Sequence, residues 1–106
     1  ARRARGAAIV SAFSTVPSEV LFAVFARRRR PARPSLVYCS DNARAGRVAA
    51  RLIRDAGFAP LDAGALRMAR YTEPFTMLVA QLAYEGAGGP ALAYRFERFR
   101  EFEKAV

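Results

Sequence analysis

The sequence predicts an α/β domain: three short parallel strands with covering helices and a C-terminal helical pair. Three observations predict it. Short apolar runs at residues 7–13, 35–39 and 58–62 are separated by longer stretches with helical spacing, and strands alternating with helices imply parallel pairing through right-handed crossovers. Residues 41–57 carry Ala45, Val48, Ala49, Leu52, Ile53 and Ala56 at intervals of three and four, with Arg44, Arg47, Arg51 and Arg54 opposite, which is the signature of a helix lying on a sheet. The 106 residues are 53% hydrophobic, far above what a disordered segment carries, so the charge rides on a globular body. A chain of this length makes one domain that removes roughly 65% of its unfolded surface from water. Residues 1–64 are expected to form a β-α-β-α-β unit and residues 65–106 the C-terminal helices.

Taken in order, the first apolar run ends in Ser14-Thr15, and Pro17 then stands near a helix start, where its missing N–H costs little. The hydroxyls of Ser14 and Thr15 either cap that helix or point at a ligand. The helix runs to about Ala26 and is apolar on most sides, with Val20, Leu21, Phe22, Val24 and Phe25. Arg27 to Arg30, Pro31, Arg33 and Pro34 then form a stiff, solvated connection. After the second strand, Ser40-Asp41-Asn42 offers N-cap oxygens, and Gly57 supplies the C-terminal stop of the long helix. Phe58 to Asp62 is the third strand. Residues from about 65 to 85 read as two helical pieces broken at Pro74, the second buried through Phe75, Met77, Leu78, Val79, Leu82 and Ala83. The Gly86–Pro90 turn opens a last helix with Leu92, Phe96 and Phe99 along one face and Phe102 beside it.

Composition excludes several classes of function. His is absent and Cys39 stands alone, so there is neither a disulfide nor a cluster of metal ligands, and no metal site is expected. Cys39 lies in an apolar strand without an activating base and reads as a buried inert thiol. No serine has a triad context. Asp62 and Glu73 show no spacing that demands an acid/base pair, and no catalytic residue is assigned. There is no Gly-x-Gly-x-x-Gly and no Walker-type loop, hence no self-sufficient cradle for a nucleotide phosphate. No apolar run approaches the roughly 20 residues a membrane span needs, and the Arg-rich start lacks the apolar region of a signal peptide; a cytoplasmic protein without membrane attachment is expected.

Four blocks carry a family resemblance. Ile9-Val10-Ser11-Ala12-Phe13-Ser14-Thr15-Val16-Pro17, Val37-Tyr38-Cys39-Ser40-Asp41-Asn42, Pro60-Leu61-Asp62-Ala63-Gly64 and Arg70-Tyr71-Thr72-Glu73-Pro74 resemble, in order and spacing, the C-terminal half of the NADP oxidoreductases dependent on coenzyme F420, a module shared with the Steap metalloreductases. The resemblance implies the C-terminal half of a Rossmann-type reductase, an oxidoreductase-family domain that positions a deazaflavin ring for hydride transfer to or from NADP. It places Ser14, Val16, Arg70 and Thr76 on the lining of the cofactor pocket, Arg70 facing an anionic or carbonyl group and Val16 forming an apolar wall. The family often has Lys and Asn in the first block where this chain has Ser11 and Ser14, which weakens any charge or amide contact there. The dinucleotide-binding N-terminal half has no counterpart in this sequence, so NADP is not expected to bind this chain alone, and the chain is expected to be inactive in isolation. Arg70 and Glu73, three apart, could instead pair across one helical turn.

Two other classes of function are suggested by the residues. Eighteen Lys and Arg against nine Asp and Glu give a net charge of +9, and Lys104 is the single lysine. The Arg stripe and the Arg27–Arg30 run would suit a nucleic acid or another polyanion, although no aromatics interleave them as base stacking requires, and GC-rich coding gives the same bias. The apolar C-terminal helices would suit a structural role, as a homodimer surface or a dock for the missing half.

Overall fold

The computed structural model describes residues 8–105; the part of the first predicted strand at Ala7 lies outside them. The chain builds β1 (Val10–Ser11), α1 (Ser18–Ala26), β2 (Ser35–Ser40), α2 (Ala43–Asp55), β3 (Ala59–Asp62) and α3 (Ala69–Ala80). Short turns of 3-10 type at Leu66–Met68 and Arg100–Phe102, and of π type at Gln81–Glu85, complete it. This is the expected α/β class, with a three-stranded sheet in the order β1-β2-β3.

The strands are mixed in direction, which corrects the expectation of an all-parallel sheet. β2 and β3 are parallel, with Ser35 opposite Ala59 and Tyr38 opposite Asp62, whereas β1 is antiparallel to β2, Val10 opposite Ser40 and Ser11 opposite Cys39. Side chains alternate identically in both arrangements, so the apolar pattern carries no direction. The chain leaves β1 through a left-handed turn. Phe13 adopts φ 65°, a left-handed conformation rare outside glycine, and the chain turns through it into α1. That helix does not lie across the sheet as a crossover; it buries Val20, packs Leu21 and Val24 against the core, and leaves Phe22 86% exposed.

The core gathers under α2. Leu36, Ile53 and Phe58 are fully buried and pack with Ala12, Val16, Leu21, Val24, Tyr38 and Ala56. Asn42 caps α2 as expected, its Oδ1 accepting from the Ala45 amide at 2.8 Å. Arg44, Arg47, Arg51 and Arg54 all face solvent. The buried stripe is narrower than the sequence suggests: Ala49, Ala50 and Ile53 face inward, and Val48 and Leu52 stand half exposed beside Val10 and Ala12. Gly57 ends the helix at φ +105°, and a Cβ there would lie 2.7 Å from the Val24 carbonyl oxygen, so the close approach of α1 to this turn requires glycine. Cys39 is buried, as expected of an inert thiol.

Pro74 lies inside α3, and Ala69–Ala80 is a single helix rather than two pieces. Pro74 is exposed, and the Thr72 and Thr76 hydroxyls donate to the carbonyls of Ala69 and Thr72 at 3.0 and 2.8 Å. These back-bonds bind up the backbone on both sides of the missing amide. The expected burial holds for Val79 and Ala83 only; Met77, Leu78 and Leu82 remain more than half exposed.

The last predicted helix does not form, so the C-terminal helical pair reduces to α3 with its π turn. Residues 90–99 run as an extended strap because β1 covers only Cys39 and Ser40, leaving the first half of β2 with unmatched amides on that side. The strap fills them. Ser35 N–H donates to the Tyr94 carbonyl at 2.7 Å, Val37 N–H to the Tyr94 hydroxyl at 3.0 Å, and Phe96 N–H to Ser35 Oγ at 2.8 Å. Tyr94 Oη also meets the buried Thr15 Oγ1 at 2.6 Å, and its ring packs edge-on against Phe75 and Phe96. Further along, the Tyr84 hydroxyl donates to Glu19 Oε1 at 2.7 Å, which holds that carboxyl below the usual range and pushes the phenol up.

Tyr94→Phe strands both Val37 N–H and Thr15 Oγ1, so we expect a loss of about 1–3 kcal/mol in urea unfolding. An unchanged midpoint would show that the strap does not complete the sheet.

Candidate functional site

One polar hollow forms where the end of β1 faces α3. Ser11 and Ser14 supply one wall, and Arg70, Glu73, Pro74 and Met77 the other, with Thr72 and Thr76 completing it, around an open volume of about 850 Å³. The antiparallel β1 delivers Ser11, and the left-handed turn at Phe13 throws Ser14 outward, where it is exposed. On the other side, residues 70, 73, 74 and 77 stand at i, i+3, i+4 and i+7 of one helix and share a face by helical geometry.

Of the four residues singled out in the sequence, the structure brings three together. Ser14, Arg70 and Thr76 line this hollow. Val16 does not: it is half buried and packs against the Leu36–Ile53–Phe58 core. Its neighbour Thr15 is turned inward by the bond to Tyr94, and an apolar side chain one residue on follows the chain into the core. The Ser14-Thr15 pair does not cap α1, whose N-cap is Pro17 with no side-chain bond.

Among the described residues the ion pair is Arg95–Glu97, at 2.8 Å. Arg70 and Glu73 therefore stand on one rim without pairing, an exposed cation and an exposed anion facing the same space. Their charges offset at a distance, so the hollow is dipolar rather than strongly cationic. Pro74 has no amide to give the Arg70 carbonyl, so that carbonyl lacks its regular i+4 donor. Thr76 Oγ1 is committed as a donor to Thr72 and keeps acceptor capacity. The donors and acceptors on offer are thus one guanidinium, the hydroxyls of Ser11 and Ser14, the accepting side of Thr76 Oγ1, the Arg70 carbonyl and one carboxylate, beside the apolar Pro74 and Met77.

Ser11, Thr72, Glu73, Pro74 and Met77 were not singled out in the sequence as lining residues, and the last three share the Arg70 face of α3. The signal was present in the i, i+3, i+4, i+7 spacing from Arg70, but only once α3 is known to run unbroken through Pro74 does that spacing define one face. Asp62 has no place here; its carboxylate accepts from the Gly64 amide at 2.8 Å and shapes the turn after β3. Among the described residues no group of three His, Cys, Asp or Glu could hold a metal ion, and no helix is long and apolar enough to cross a membrane.

The chain is similar to part of a putative F420-dependent NADP-reductase. That solved structure, from Arthrobacter sp. FB24, superposes with a TM-score of 0.75 over 92% of this chain, at 20% sequence identity. The likeness establishes the fold. This chain spans 43% of the length of that protein. No family model matches the sequence, and no curated protein matches it.

If Val16 and Arg70 differ in role as their surroundings differ, Val16→Ala should cost about 1–2 kcal/mol for the methyl groups lost from the core margin. Arg70→Ala should stay within about 0.5 kcal/mol of the parent, as for an exposed residue without a structural partner. Chemical denaturation of both variants measures the contrast.

Proposed function

We propose that this chain is the ring-positioning half of a hydride-transfer oxidoreductase, with the Ser14–Arg70–Thr76 hollow as its cofactor site. The observation that carries the reading is the meeting of those three side chains in one concavity, although 56 residues of sequence separate Ser14 from Arg70 (70 − 14). The fold likeness to a putative F420-dependent NADP-reductase supports it.

The residues present fit a deazaflavin ring. A flat, largely apolar ring with carbonyls at its edge needs an apolar support, hydroxyl and guanidinium donors, and little net charge. Met77 and Pro74 supply the support, Arg70 and Ser14 the donors, and Glu73 offsets the cation so that a polyanion gains less there than a neutral carbonyl edge. When bound, such a ring carries the hydride. Arg70 would orient its carbonyl edge, Ser14 and Thr76 would restrict its rotation, and the Met77 side would exclude water; alignment and dryness are what a protein contributes to this chemistry. No side chain is required to carry a proton in this chemistry. A nicotinamide partner would come from a dinucleotide-binding unit, since this sequence has no glycine-rich phosphate turn. NADP is therefore not expected to bind this chain alone, and the chain alone is not expected to turn over.

A structural role alongside is favoured by one further observation. Phe22, Met77, Leu78, Phe96 and Phe102 are each more than half exposed, more apolar surface than a small monomer normally presents. A second copy of the chain or a dinucleotide-binding half would cover it.

Titration of the chain with deazaflavin, followed by the fluorescence of the ring, should saturate, while NADPH alone should not. Arg70→Ala should weaken deazaflavin binding about tenfold, the size of one charged hydrogen bond; no saturable binding, or equal binding by the variant, would sink the assignment. Sedimentation at micromolar concentration should show a dimer or larger species, and a monomer at every concentration would argue against self-association.

A further inference from the structure

A second concavity, sharing no lining residue with the Ser14–Arg70 hollow, opens between the C-terminal end of α1, the arginine-proline connection and the strap. It is partly enclosed, with a volume of about 280 Å³. Its lining combines the aliphatic Val20, Val24 and Ala93 with three cations, Arg27, Arg30 and Arg33, and holds no acidic residue. From these features we infer that the cavity binds a small aliphatic carboxylate, its tail on the valines and its head among the arginines.

Three facts carry the inference. Arg33 is anchored: it donates to the carbonyls of Arg28 and Arg54, and its own carbonyl accepts from Arg95 at 2.7 Å. Its charge is thereby fixed at the cavity by contacts that are not themselves anionic. Arg27 and Arg30 take no side-chain hydrogen bond or ion pair among the described residues, whereas neighbouring Arg28 is turned onto the Phe25 ring, 4.2 Å from its centroid, with a bond to the Phe25 carbonyl. Three like charges held around one apolar cavity repel one another, and an anionic head converts that repulsion into attraction.

Size and polarity then choose the ligand. The volume lies just under the usual range for drug-sized ligands, which suits a short chain. A guanidinium matches a carboxylate with two parallel hydrogen bonds, and the aliphatic lining gains from a tail that inorganic anions lack. The C-terminal end of α1 carries a partial negative charge that opposes the head, but the carbonyls of Ala23, Val24 and Phe25 accept from the amides of Arg27 and Arg28, and the three full arginine charges exceed what is left.

Calorimetric titration of the 106-residue chain with octanoate tests the site, with octanol as the tail alone and inorganic phosphate as the head alone. We expect saturable octanoate binding at least tenfold tighter than either control, with amide shifts in nuclear magnetic resonance at Val20, Val24 and Ala93. The double variant Arg27→Gln/Arg30→Gln should weaken octanoate at least tenfold. Ala23→Leu, which fills the cavity from an exposed helix position, should abolish binding independently of charge. Equal affinity for octanol, unchanged binding in both variants, no saturable binding, or shifts centred on Arg70 and Thr76 would each overturn the inference.

Discussion

The bond that most of this structure depends on is the one Tyr94 makes to an incomplete sheet. A two-residue β1 cannot match a six-residue β2, and the amides of Ser35 and Val37 would otherwise lie unpaired against the protein. A buried backbone donor without a partner costs as much as a folded interaction typically contributes. Tyr94 meets both, with its carbonyl and its hydroxyl, and its ring wedges between Phe75 and Phe96. Through Phe75 the same contact fixes α3, and through Thr15 it fixes the loop that leaves β1. The two walls of the polar hollow are those two elements, so the strap that mends the sheet also sets the spacing of the candidate site.

The polarity of the two concavities is decided by how each is walled. In the hollow between β1 and α3, one helix face brings a cation and an anion to the same rim, and hydroxyls come from a strand end. Charges of opposite sign on one rim favour a ligand with a modest dipole, such as a ring with a carbonyl edge. In the cavity beside α1, the arginines come from a connection whose prolines restrict it, and the lining holds no carboxylate. The same basic composition thus has opposite consequences in two places, decided by whether an acidic residue shares the rim.

Much of the surface is apolar without being core. α1 and α3 each bury one narrow side and leave Phe22, Met77 and Leu78 in solvent, and the fold is that of a segment spanning 43% of a longer solved reductase-like chain. A helix that is hydrophobic all round, as α1 nearly is, usually lies against other apolar surface. The buried core is correspondingly limited to a few side chains around Leu36, Ile53 and Phe58.

The amino-acid sequence by itself determined the elements whose signals are local. The α2 periodicity, its Asn42 cap and its Gly57 stop need no partner to be read, and the apolar runs at β2 and β3 are bounded by their own turn residues. Ser14, Arg70 and Thr76 were legible through the family resemblance of the blocks around them rather than through a local pattern, Thr76 lying in the middle of α3. Only the tertiary structure decided the direction of β1, the extended course of residues 90–99 and the inward turn of Val16. Strand direction leaves no mark on side-chain alternation, and the strap forms because β2 has vacant amides, a need that arises elsewhere in the chain. Val16 goes to the core because Thr15 is held by Tyr94, 79 residues away, and no local pattern can record a partner at that distance.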